Sequence, residues 1–129
     1  MELKTQLDMK INVNWKDIEE YIIQVAEYYK DKKITGVYGL PRGGLVLAVM
    51  LSHKMNIPLL MAPTKDCIII DDICDSGESL IHYTTNRYDD NKYHITTMYF
   101  NFDSNMQDKI EFYVNIKDGN WIIFPWEVE

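Results

Sequence analysis

Cysteine is scarce in this sequence: only Cys67 and Cys74 occur, flanking an apolar run rather than forming a spaced framework. Neither suits a metal pair or demands an oxidising compartment, and Cys67 reads as a small buried hydrophobe. Positive charge is short as well, with 13 Lys and Arg against 20 Asp and Glu and a net charge of −7. Without a basic run the chain is a poor partner for nucleic acid, because phosphate neutralisation supplies most of that affinity. A local anion site stays open, since backbone N–H groups hold a phosphate in a protein of any net charge. No stretch approaches the roughly 18 apolar residues of a membrane span. The N-terminal segment lacks the basic start and apolar core of a secretory signal. His53, His82 and His94 fall in no metal-ligand spacing. The expectation is a cytoplasmic protein with neither a membrane nor a nucleic-acid partner.

What remains is an apolar, globular composition: 47% of the 129 residues are hydrophobic, enough to bury a core in one domain. No repeat, low-complexity tract or linker divides it. Asn14 can cap a helix, with Asp17, Glu19 and Glu20 near its positive end. Ile18, Ile22, Val25 and Tyr29 then recur at helical spacing as far as Lys32. Residues 34–39 read as a first strand, 40–44 as a turn, and 45–55 as a nearly all-apolar helix buried on most sides. Strands are expected at 57–61, 66–70, 93–100, 109–114 and 121–124, with a helix opening at Asp75 and running to about Arg87. Strand–helix alternation with short connections predicts an α/β fold, a largely parallel sheet covered by helices.

The segment CIIIDDICDSGESL, residues 67–80, carries the chemistry. An apolar strand ends in Asp71 and Asp72, and ligands of open α/β sheets bind beyond the carboxyl ends of strands. Asp75, Ser76, Gly77, Glu78 and Ser79 follow as a turn into the expected helix. Gly77 permits close backbone approach, and the next N–H groups and two hydroxyls converge as a phosphate cup. The adjacent acids suit the vicinal hydroxyls of a ribose. An Asp-Asp pair alone more often just ends a strand; here strand, acids, Ser-Gly-x-Ser turn and helix come in one order over fourteen residues.

This stretch resembles the phosphoribosyl-diphosphate (PRPP) motif of type I phosphoribosyltransferases: an apolar strand, two acids, two variable residues, then Asp-Thr/Ser-Gly-x-Thr. The resemblance implies that Asp71 and Asp72 hold the ribose hydroxyls, directly or through Mg²⁺. It implies that Ser76, Gly77, Glu78 and Ser79 cradle the 5′-phosphate and that Asp75 lies near the reacting base nitrogen. GLPRGGL, residues 39–45, resembles the family's pyrophosphate loop, with Pro41, Arg42 and Gly43 as the contacts; Arg42 would stabilise the departing pyrophosphate. NWIIFPWEVE, residues 120–129, looks like the tail of bacterial xanthine–guanine phosphoribosyltransferases. Trp121 would stack on the base and the backbone near Ile122 would read its edge, within a hood drawn from residues 111–129. The implied architecture is a single phosphoribosyltransferase-like domain over residues 1–129 with a small C-terminal hood. Most relatives are homodimers, and the apolar helix 45–55 suits one.

Two departures qualify the match. The family carries a long lid between the second and third strands, where this chain has only the tight connection from Leu60 to Asp66. Purine enzymes place a lysine just after the strand corresponding to residues 93–100, where this chain has Asn101, a neutral donor toward the base. The implied activity is transfer of a phosphoribosyl group from PRPP to a 6-oxopurine with release of pyrophosphate. The alternative is a binding protein that keeps the nucleotide pocket, as sensor, regulator or sponge, with little transfer.

Overall fold

The computed structural model describes residues 10–84 and 92–127. Its first helix, α1 (Trp15–Tyr29), is capped in both directions. The Asn14 side-chain oxygen accepts from the Asp17 N–H at 2.8 Å, and the Asp17 carboxylate accepts from the Asn14 N–H at 3.1 Å. Each satisfies a donor that a helix start leaves without a partner. The helix turns Ile18, Tyr21, Ile22, Val25 and Tyr29 inward, which is the foreseen stripe with Tyr21 added.

Strands β2 (Val37–Gly39), β3 (Ile68–Cys74), β4 (His94–Phe100) and β5 (Asn115–Ile116) form one parallel sheet in that spatial order. Strands β1 (Lys10–Asn12) and β6 (Trp121–Ile123) pair in parallel as a second, two-stranded sheet. Parallel neighbours need crossover connections, and these cover the sheet. Helix α2 (Gly43–Met55) lies in the β2-to-β3 crossover and packs with α1 over Ile68, Ile70 and Met98. On the opposite face Ile69, Ile95 and Phe100 are covered by Leu80 and Met106 from irregular segments. The α/β reading therefore holds, with parallel sheets and flanking helices.

Local expectations changed in several places. Residues 57–61 make only a single bridge, Leu59 to Val37. The Ile57 N–H is already given to the Ser52 carbonyl at the end of α2, and Pro58 has no N–H to offer. The strand expected at 66–70 begins two residues later and runs on through both acids to Cys74. Asp66 itself has φ of 65°, outside strand geometry. The helix expected after Asp75 is a turn plus a short 3₁₀ segment, Ile81–Tyr83; its far end at Arg87 lies outside the described residues. Finally, α2 is not buried on most sides: Gly44, Leu47, Ala48 and Leu51 face inward, while Leu45 and Val49 stay more than 40% exposed. One side of the helix meets the sheet and α1, and the other leaves Leu45 and Val49 exposed among the described residues.

The strand expected at 109–114 runs beside β4, with Glu111 N–H on the Ile95 carbonyl at 2.8 Å, but makes only a single bridge, Phe112 to Thr96, and settles into strand geometry only at β5. Among the described residues no helix is long and apolar enough to cross a membrane.

Candidate active site

Asp71 and Asp72 sit inside β3, where the ladder opens. The register pairs Asp71 with Thr97 and Ile73 with Tyr99, leaving Asp72 without a partner residue. The carboxylates take up the backbone donors there: Asp71 accepts from the Asp72 N–H at 2.9 Å, and Asp72 from the Ile73 N–H at 2.8 Å. Burial, then the neighbouring Asp72 charge, pushes the Asp71 carboxyl well above the usual carboxylate range, to about 8. A half-buried pair of adjacent acids is costly in the empty protein, as expected of groups arranged for a ligand rather than for the fold.

The loop after β2 closes on these acids. A Cβ on Gly43 would fall onto the Asp72 carboxylate, and one on Gly44 would strike the Ile70 carbonyl, so only glycine lets α2 start this near β3. The Pro41–Arg42 peptide is cis. Arg42, exposed at the N-cap of α2, lines a basin of about 870 Å³ together with Pro41, Gly43, Val46, Asp71 and Asp72.

The far wall of this basin comes from the C-terminal segment: Trp121, Ile123, Trp126 and Glu127. The two tryptophans differ in kind. Trp126 stacks on Phe124 with centroids 5.0 Å apart and 5° between the planes, and leans on Trp15 at 5.9 Å. Trp121 is 67% exposed. The Ile122 side chain is buried in the core, opposite Ile11 in the β1–β6 pair.

Beyond Asp71 lies a second cavity of about 120 Å³, lined by Cys74 and by Asp75, Ser76, Gly77, Glu78 and Ser79. Asp71 borders both cavities. Gly77 has φ of 86°, and a Cβ there would collide with Asn105 and Met106. The Ser76 hydroxyl accepts from the Glu78 N–H at 3.2 Å, and the Gly77 carbonyl accepts from the Leu80 and Ile81 N–H groups. Among the described residues the N–H groups of Gly77 and Ser79 have no protein acceptor. The cup is thus a backbone nest with hydroxyls, without the α-helix dipole expected behind it.

At the rim, Asp75 gathers two donors on one oxygen. The Asn101 side-chain amide donates to its Oδ1 at 2.9 Å, and Lys117 Nζ lies 3.4 Å from the same atom. The other end of the Asn101 amide accepts from the Asp103 N–H at 2.9 Å, so the amide is oriented from both ends. Sequence reasoning took Asn101 for a base contact and missed Lys117 altogether.

No protein-family model matches the chain. Among solved structures, the fold is similar to that of purine phosphoribosyltransferase from Pyrococcus horikoshii, with a TM-score of 0.78 and 25% identity over 93% of this chain and 95% of that one. The chain has the phosphoribosyltransferase fold. The xanthine-guanine-hypoxanthine phosphoribosyltransferase of Helicobacter pylori is also similar, at TM-score 0.75 and 17% identity over 92% of this chain and 94% of that one. So is a hypothetical protein from Neisseria gonorrhoeae with bound ppGpp, at TM-score 0.68 and 15% identity over 94% and 90%. The fold implied by the three motif segments is the fold found.

Within this phosphoribosyltransferase fold, Asp71 and Asp72 are the candidate metal-holding pair. No third His, Cys, Asp or Glu among the described residues joins them in a protein-only metal site. The pair still fits Mg²⁺, which takes one or two carboxylates from a protein and completes its shell with water and substrate oxygens. A divalent cation would also relieve the crowding of negative charge at Asp71.

Proposed function

We propose that the protein is a purine phosphoribosyltransferase, moving the 5-phosphoribosyl group of PRPP to a 6-oxopurine with release of pyrophosphate. The observation that carries this reading is the meeting of four segments around one basin and its adjoining cavity: the Arg42–Gly43 loop, the acid pair, the Ser76–Ser79 cup and Trp121.

The 5′-phosphate takes the free N–H groups and hydroxyls of the cup, and the ribose hydroxyls take Asp71 and Asp72. Arg42 and the Pro41–Gly43 backbone receive the pyrophosphate, with the N-terminal end of α2 behind them. Mg²⁺ held at Asp71 and Asp72 supplies neutralising charge on the phosphate oxygens when bound. Trp121 stacks on the base, and the main chain near Ile122 reads its edge. In the transfer a ring nitrogen of the base bonds to C1′, and the C1′–oxygen bond to pyrophosphate breaks, the electron pair leaving with pyrophosphate. The N–H proton displaced from the base passes to Asp75. Residues 111–129 serve as the hood of a single domain, and the bare Leu45–Val49 side of α2 suits a homodimer.

A second reading is a protein that binds a nucleotide and turns over slowly. The seven-residue connection from Leu60 to Asp66 favours it. Its ends are pinned by the Leu60 N–H on the Val37 carbonyl at 2.8 Å and the Asp66 N–H on the Lys92 carbonyl at 2.8 Å, too short a span to exclude water from the basin. The Neisseria neighbour with bound ppGpp is consistent with a nucleotide-holding role.

Calorimetric titration with PRPP and with GMP, with and without Mg²⁺, followed by a base screen for pyrophosphate release, separates the two. Binding plus release with an oxopurine is the expected result. Binding without release leaves the second reading, and no binding removes both.

A further inference from the structure

Lys117 stands outside every motif, yet the fold carries its ammonium to the reacting end of the site. It follows β5 directly, and its backbone N–H donates to the Phe100 carbonyl at 2.9 Å, which locks it beside Asn101 at the end of β4. Its side chain is only 17% exposed, although a lysine at a strand end is free to extend into water. Nζ lies 3.4 Å from Asp75 Oδ1, the oxygen that also accepts from Asn101 at 2.9 Å. Asp75 belongs to an irregular turn, and its own side chain is 56% exposed, so little else restrains it.

We infer that Lys117, with Asn101, is a positioning residue for Asp75: together they tie up Oδ1 so that Oδ2 alone receives the proton of the base N–H. This rests on the transfer reading given above. An exposed carboxylate on an irregular turn would otherwise present either oxygen, in many rotamers, and the fraction of productive complexes would fall. The ammonium and the amide are donors only at this atom, so they fix which oxygen stays open as the acceptor. Two donors just past the ends of adjacent parallel strands, 16 residues apart in sequence, meet on an acid 26 and 42 residues before them. The plain alternative is a partly exposed ion pair with little effect on anything.

The test is a cycle of four proteins: wild type, Lys117→Met, Asp75→Asn and the double variant, read as kcat and as KM for PRPP, with Lys117→Arg as a fifth. Lys117→Met is expected to lower kcat by about tenfold or more, a fraction of the roughly 10²–10⁴-fold that a positioned proton acceptor supplies, while KM for PRPP stays within about twofold. In the Asp75→Asn background the same change is expected to cost less than about twofold, because nothing remains to position. Lys117→Arg keeps a donor cation and restores most of kcat. Equal losses in both backgrounds, or an unaffected Lys117→Met protein, overturn the inference and leave the transfer reading standing. A wild-type protein that binds PRPP but transfers to no base overturns the transfer reading, and this inference falls with it.

Discussion

Helix α1 and the turn from Asp71 to Leu80 follow opposite rules. In α1 the cap is satisfied from both sides, the apolar stripe is buried and the polar stripe is wet. In the turn, a half-buried carboxyl lies beside a second one, a glycine holds φ of 86°, and the N–H groups of two cavity-lining residues have no acceptor among the described residues. The carboxyl pair costs stability in the empty protein, while the glycine turn and the unpaired N–H groups leave room and donors for a phosphate. The difference separates residues that hold the fold from residues that wait for a ligand.

Replacing both Asp71 and Asp72 by Asn is the sharpest way to test that separation. Transfer, measured as pyrophosphate release, should fall by about 10²–10³-fold or more, in line with the loss of preorganised charged groups elsewhere. The folded protein should survive the change. In α1 the pattern inverts: Ile18→Ala should cost about 2–5 kcal/mol in chemical denaturation, since Ile18 is fully buried, while kcat per folded molecule stays unchanged.

Those two results define how far the sequence could be read. The α1 stripe was legible because capping and helical periodicity are local, and the acid pair because the apolar run 67–70 announces its strand. The end of β3 was not, since acids read as loop although here they continue the strand and serve its open ladder positions. The helix expected after Asp75 gave way to a 3₁₀ segment, because Gly77 turns the chain and the Leu80 and Ile81 carbonyls are engaged three residues on. Lys117 carried no local signal at all. Its meeting with Asp75 exists only through the parallel pairing of β3, β4 and β5.

Acidity sharpens the comparison further. The Asp71 carboxyl is raised to about 8 in the fold, against roughly 3.9 for an unperturbed Asp. A carboxyl raised by folding binds its proton more tightly in the native state, so stability declines as pH rises from about 4 towards 8 and then levels. Asp71→Asn should flatten that slope and make the ligand-free protein more resistant to heat at pH 7.5 than wild type, as followed by thermal denaturation at several pH values. A steeper slope in the variant would contradict the cost assigned to this side chain. The smallest effect is at the cap: Asn14→Ala should lower stability by roughly 0.5–2 kcal/mol with no change in KM for PRPP.

The pinned seven-residue connection between Leu60 and Asp66 also bears on time. A site with a closing segment admits and releases its ligand at the pace of that segment, on the order of microseconds to milliseconds. This connection is too short to reach across the basin, so exchange through it has no such gate, and the dwell of a bound molecule is governed by its contacts. Occupancy would then relax at the rate at which those contacts break, so substitutions in the basin wall would change residence time directly.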